Sequence, residues 1–190
     1  MKPEKIIKLY KELIMEQDNR SAHHYFNNAT EEIKGKIFVD IGGAEGLISL
    51  SVVEAATHIY IFESDSSWIE ALNATFQPWK DKVTIVNKLI GKETKGEWLT
   101  LDDFFKEKSF DNLFFKMDIE GSEEDALKGA CQIFLKGKNL HFSICTYHEE
   151  DDGKRICSTL DSYKCKYTHQ RGFFRKKVRS VVVRGKNNLT

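Results

Sequence analysis

A chain of 190 residues suffices for one domain with a sizeable core and not plainly for two. Its 41% hydrophobic and 31% charged content is that of a soluble globular protein; with no apolar run of membrane length and no charged-then-apolar leader, no membrane segment and a cytoplasmic location are expected. Twenty-nine basic residues cancel 29 acidic ones, and without a net positive field nucleic acid is not the expected partner.

In chain order, residues 5–16 carry Ile6, Ile7, Leu9, Tyr10, Leu13 and Ile14 at helical spacing, with Pro3 near the start, and predict an amphipathic helix packed on the main domain. Residues 1–35 read as an N-terminal helical segment and 36–190 as that single main domain. Ser21 to Asn28 is ambiguous: a connecting helix is the plainer reading, although Ala22 to Phe26 could line a cleft. Thr30 reads as the cap of a short turn ending at Gly35. Ile37 to Ile41 is an apolar run suited to a strand buried on both faces. Next come a helix from Leu47, a strand over His58 to Phe62, a helix capped by Ser66 or Ser67 and closed by Pro78, and a third strand over Val83 to Val86.

Gly91 to Gly96 reads as a turn between Leu89-Ile90 and Trp98-Leu99, with a hairpin as one option, and Asp102 opens a short helix. Leu113 to Met117 is the fourth strand, ending at Asp118. One helix from Ser122 then buries Ala126, Leu127, Ala130, Ile133 and Phe134, and Leu140 to Cys145 is the fifth strand. Arg155 to Tyr163 is a helix; Cys165 to Thr168 and Ser180 to Arg184, joined through Gly172, form a closing antiparallel pair. Strands alternating with helices specify an α/β chain with a doubly wound, mainly parallel sheet and an antiparallel C-terminal strand. Cys131, Cys145, Cys157 and Cys165 form no C-x-x-C pair, so they read as reduced packing residues and not as a zinc site or disulfide framework.

The first strand runs into Gly42-Gly43-Ala44-Glu45-Gly46 and then a helix, a turn that lets a ligand approach backbone. The dinucleotide pattern G-x-G-x-x-G fails at Ala44 and Leu47, and no phosphate loop G-x-x-x-x-G-K-S/T is present. What stands there, Asp40-x-Gly42-x-x-x-Gly46, resembles motif I of the Rossmann-like, class I methyltransferases that use S-adenosylmethionine. Glu63 ends the second strand, 23 residues after Asp40, where an acid accepts hydrogen bonds from ribose hydroxyls.

Together with Phe62-Glu63-Ser64, Leu101-Asp102 and the run Lys116-Met117-Asp118-Ile119-Glu120-Gly121-Ser122-Glu123, these motifs resemble the FkbM-type methyltransferases over about Lys36 to Gly185. Ile144-Cys145-Thr146-Tyr147-His148 with Asp152 is similar to a Y-H-x-x-x-D stretch of some members. The resemblance implies S-adenosyl-L-methionine as cofactor, held by Asp40, Gly42, Gly43, Ala44, Gly46, Glu63, Ser64, Asn87 and Asp118. It further implies O-methylation of a sugar, glycan or polyketide hydroxyl, so the expected partner is a small-molecule or glycan acceptor. A base-amino methyltransferase is excluded: its Asn/Asp-Pro-Pro motif is absent in a chain whose prolines are Pro3 and Pro78. The rivals are a non-catalytic or partner-dependent cofactor-binding module and, against the failed glycine pattern, a nicotinamide oxidoreductase.

A sugar hydroxyl is a poor nucleophile, so a base or a metal must help remove its proton. Asp118 and His148, at the ends of neighbouring strands, are the candidate catalytic residues, with His148 of near-neutral pKa as the base. Asp118 with Glu120, Glu149, Glu150, Asp151 or Asp152 could instead hold Mg²⁺. No metal is expected, because the acids at 149–152 read as a solvated loop and Glu123, Glu124 and Asp125 as helix-capping charge. Arg171, Arg175, Lys176, Lys177 and Arg179 make a basic tail; an anionic acceptor is the sharp reading and a solvated hairpin the preferred one.

Overall fold

The computed structural model describes residues 20–174 and 177–189, with residues 3, 4, 6, 7, 10, 11, 14 and 18 before them; nothing is described of the Phe174 side chain. The helix expected over 5–16 falls largely outside the described residues.

Seven strands form one sheet: β1 (Ile37–Ile41), β2 (His58–Phe62), β3 (Val83–Val86), β6 (Leu113–Met117), β7 (His141–Cys145), β8 (Lys166–Phe174) and β9 (Lys177–Lys186). Their order is β3-β2-β1-β6-β7-β9-β8, parallel as far as β7, with β9 antiparallel to both β7 and β8. The antiparallel pair is longer than expected, and Gly172 sits inside β8 and not at the turn. The two short strands β4 (Leu89–Ile90) and β5 (Trp98–Leu99) pair in parallel, so the hairpin option fails there.

From residue 20 on, among the described residues, the α-helices are α1 (Ala29–Ile33), α2 (Leu47–Val52), α3 (Ile69–Phe76), α4 (Leu101–Phe105), α5 (Glu123–Lys128), α6 (Cys131–Lys136) and α7 (Asp152–Ser162). Among the described residues no helix is long and apolar enough to cross a membrane. Alternation along the strands divides the core in two. Phe115 and Met117 of β6 face the layer built by α4–α7, whereas Phe114 packs in the layer with Ile48, Val52, Leu72 and Phe76 of α2 and α3. Tyr25 and Phe26 complete that second layer. Residues 20–28 form no helix: they cross the sheet as irregular chain, because Tyr25 and Phe26 are wholly buried on it and the Ser143 hydroxyl donates to the Tyr25 carbonyl at 2.6 Å.

Three element ends differ from expectation for local reasons. Asn28 caps α1, accepting from the Glu31 amide, while Thr30 lies inside the helix. Asp65, not a serine, caps the turn leading into α3. The single helix expected from Ser122 is broken at Gly129, where any Cβ would collide with the Gly91 carbonyl oxygen; Asp102 then accepts from the amides of Gln132 and Ile133 and caps α6. The order of the sheet reverses direction between β1 and β6, and open α/β sheets bind ligands outside the carboxyl ends of their strands at such a point.

Candidate active site

A cleft of about 540 Å³ opens at this reversal point, lined by Gly42, Ala44, Glu63, Ser64, Trp68, Asp118 and their neighbours. Its floor exists because β1 and β6 converge. Gly42 has φ +84°, and a Cβ there would run into the Asp118 carbonyl oxygen, so both conformation and space demand glycine. Glu63, buried at the tip of β2, ties the turn down. One carboxylate oxygen accepts from the Ala44 amide at 2.7 Å and the other from the Asp65 amide at 2.7 Å. Each oxygen retains further acceptor capacity, and Glu63 lines the cleft. Asn87 stands behind: its amide donates to the carbonyls of Glu63 (2.7 Å) and Ser64 (3.0 Å) and holds the end of β2 in place.

Asp40 lies elsewhere than the sequence suggests. It is fully buried, does not line the cleft, and faces Lys116, its register partner on β6, at 3.0 Å. The Ser49 hydroxyl donates to its other oxygen at 2.7 Å. Lys116 also donates to the Gly42 carbonyl at 2.5 Å. Burial works against the ammonium, but Asp40 and Asp118 together hold its pKa above the ordinary lysine value. Asp40 therefore positions the glycine turn through Lys116. A lysine inside the apolar run Leu113 to Met117 was the signal that a buried acid had to face it. Gly43 and Gly46 likewise shape the turn without lining the cleft.

Asp118 gathers the other groups. Its Oδ2 accepts from the Tyr25 hydroxyl at 2.7 Å, and its Oδ1 lies 2.7 Å from His148 Nε2. The Tyr147 hydroxyl adds a longer contact at 3.3 Å. Burial alone would raise the Asp118 pKa, but the bond from His148, the Lys116 charge and the Tyr25 hydroxyl bring it down to about 2. His148 has the reverse situation. Burial lowers its pKa, yet bonds to Asp118 and Glu123 overcome this and raise it to about 10. Its Nε2 is 3.3 Å from Glu123 and its Nδ1 3.3 Å from Glu120. The expectation of a near-neutral His148 is thus corrected: the carboxylates of Asp118 and Glu123 at Nε2 keep its proton.

The acids of the alternative metal set do not converge. The strand ends at Met117, and Glu120 turns out with φ +57°. Asp152 is buried and bonded to Arg155, which corrects its assignment to a solvated loop. Glu123 stands in the first turn of α5 as expected, but it is fully buried, with one oxygen accepting from the Ile119 amide at 2.8 Å and also facing His148. Among the described residues, Asp118, Cys145 and His148 are the one group of three or more His, Cys, Asp or Glu residues with ligand atoms within 4.8 Å of one another. Burial keeps the Cys145 thiol protonated.

Residues 36–173 match the family model of the methyltransferase FkbM domain. The chain belongs to the FkbM methyltransferase family. Among solved structures it is similar to the FkbM methyltransferase of Methylobacillus flagellatus, with TM-score 0.65 and 20% identity over 80% of this chain. It spans 43% of that protein's length. A Streptococcus mutans protein crystallised with SAH shares the fold at TM-score 0.60 and 12% identity, covering 86% of this chain and 97% of its own. The precorrin-6y C5,15-methyltransferase of Geobacter metallireducens matches at TM-score 0.57 and 8% identity over 84% of this chain and 86% of its own. No curated protein matches. In this FkbM chain the cleft therefore occupies the ligand side of a class I methyltransferase sheet. Residues to which the motifs gave no part in the site complete it: Tyr25, whose hydroxyl donates to Asp118, Lys116, which pairs with Asp40, Glu123 beside His148, and Trp68 and Trp98 in the cleft lining.

Proposed function

We propose that the chain transfers a methyl group from S-adenosylmethionine to a hydroxyl of a small molecule, a sugar, glycan or related natural product. The carrying observation is that Glu63, residues of the glycine turn and Asp118 line one cleft together with the apolar side chains of Trp68, Leu89, Ile90 and Trp98. The turn offers backbone, Glu63 offers carboxylate lone pairs to a ribose, and Trp68, Leu89, Ile90 and Trp98 offer a surface for a base. These residues fit the cofactor, which when bound supplies a methyl group on a positively charged sulfur.

The chain's own groups then do the rest. Asp118, ionised and held from behind by Tyr25 and Lys116, orients an acceptor hydroxyl by accepting its hydrogen, and orientation is a large part of what such a displacement requires. With its pKa at about 2 it directs the hydroxyl without taking the proton. His148 takes that proton in its neutral form, which its raised pKa makes the minor form at neutral pH. Activity therefore rises with pH between neutrality and about 10.

The test is incubation with S-adenosylmethionine and a panel of sugar and polyol acceptors, read by the mass of one added methylene and by the pH profile. Transfer that steepens with pH and is lost in His148→Gln supports the proposal. Cofactor binding with no transfer to any acceptor would favour the non-catalytic module, and transfer to an amine alone would refute O-methylation.

A further inference from the structure

A second hollow of about 450 Å³ has Arg179, which bonds the backbone of the loop that carries His148, in its lining. Lys154 of α7, Arg171 of β8 and Arg179 of β9 line it, with His169 and the Ser180 hydroxyl, and no carboxylate is among its lining residues. Two of the neighbouring acids are occupied elsewhere: Glu149 pairs with Arg155 at 2.7 Å and Glu150 with Lys177 at 3.3 Å. Among the described residues neither Lys154 nor Arg171 forms an ion pair. In a chain with no net charge, three cations around one concave surface are a local excess that an anion would neutralise.

Arg179 connects this hollow to the reacting end. Its Nη2 donates to the carbonyls of Thr146 (3.2 Å) and Glu149 (2.5 Å), on either side of Tyr147 and His148. The Ser180 hydroxyl lies 3.1 Å from the Thr146 hydroxyl and 3.0 Å from His169 Nδ1. An anionic group seated here would share backbone with the loop that bears His148.

We infer that the hollow bounded by Lys154, Arg171 and Arg179 is a phosphoryl-binding subsite that holds a phosphate or diphosphate group carried by the acceptor. The inference rests on the methyltransferase reading for its purpose, though not for its binding chemistry. Planar guanidinium forks with a flexible ammonium suit phosphoryl oxygens, and a hydroxyl can complete the set. The basic tail thus divides: Arg171 and Arg179 face the hollow, while Lys177 pairs at the surface with Glu150.

The experiment is a titration of the whole chain with inorganic pyrophosphate and, separately, UDP-glucose, followed by amide shifts in nitrogen-15 spectra. Shifts at Gly153 and Ser180, tighter binding of UDP-glucose than of pyrophosphate, and weakening by about tenfold or more in Lys154→Gln/Arg171→Gln are expected. Both substituted side chains are exposed, so the variant keeps its fold, and its S-adenosylmethionine affinity is expected to match that of wild type. No pyrophosphate shift, or binding untouched by the double substitution, overturns the subsite. Pyrophosphate binding as tight as UDP-glucose overturns the assignment to the acceptor in favour of a free anion. Competition by a short single-stranded RNA with steep salt dependence overturns it in favour of nucleic acid. If S-adenosylmethionine fails to bind wild type, the methyltransferase reading falls, while the pyrophosphate result still decides the subsite.

Discussion

His148 Nε2 and Asp118 Oδ1 lie 2.7 Å apart, the first at the end of the loop after β7 and the second at the tip of β6. The pair is an imidazolium and a carboxylate, and each sets the charge of the other. A pKa raised on folding contributes stability that is present in full below the unfolded value of 6.5 and is lost as pH rises to about 10. The urea midpoint of the unliganded protein should fall across that window, and more steeply than in His148→Gln. Asp118 adds the opposite window: its depressed pKa contributes stability lost as pH drops from 3.8 through about 2. Parallel pH profiles of wild type and His148→Gln above neutrality would contradict the imidazolium.

Asp118 lines the cleft, so a cation bound there draws on the same carboxylate and loosens its hold on the His148 proton. The imidazole pKa, followed by proton NMR, should be lower with S-adenosylmethionine than with S-adenosylhomocysteine, which lacks the positive sulfur. Equal values for the two ligands would place the sulfur away from Asp118.

Lys116→Met leaves Asp40 buried beside a single hydroxyl, that of Ser49. An unpaired buried charge of this kind costs about 3–5 kcal/mol, measurable by denaturant titration. Adding Asp40→Leu should restore most of that loss. If the pair positions the turn, Asp40→Leu/Lys116→Met should still bind S-adenosylmethionine less tightly than wild type; unchanged affinity would show that the turn keeps its place without the Lys116 bond to the Gly42 carbonyl.

Gly42→Ala forces a side chain into left-handed backbone and against the Asp118 carbonyl. Strain and collision together should cost at least about 2 kcal/mol. The cofactor affinity of whatever folds should fall too, because β1 and β6 can no longer meet. A stable variant with intact affinity would show that the two strand ends are not held in close contact at Gly42.

The parallel sheet was legible because its strands are short apolar runs, each leading into helical spacing; β1, β2, β3 and β6 have the ranges read from sequence. The motifs located the cleft because glycines and strand-end acids mark where backbone meets ligand. What they could not show is direction. Asp40 and Glu63 are both strand-end acids, yet only Glu63 lines the cleft, since its position relative to the glycine turn depends on register with the neighbouring strand. Ala22 to Phe26 was open to lining a cleft, but the partner of Tyr25 was hidden: its bond to Asp118 spans 93 positions, and no local period records so distant a contact. The break at Gly129 depends likewise on a carbonyl from the β4–β5 loop.

The central claim is that Glu63 and the turn it anchors hold S-adenosylmethionine. Calorimetric titration of that ligand into wild type and Glu63→Ala tests it most directly. The expected result is micromolar binding to wild type, weakened by roughly 10- to 100-fold in the variant, as loss of charge-assisted bonds to ribose hydroxyls requires. A well-folded wild type that does not bind, or a Glu63→Ala variant that binds equally well, would contradict it.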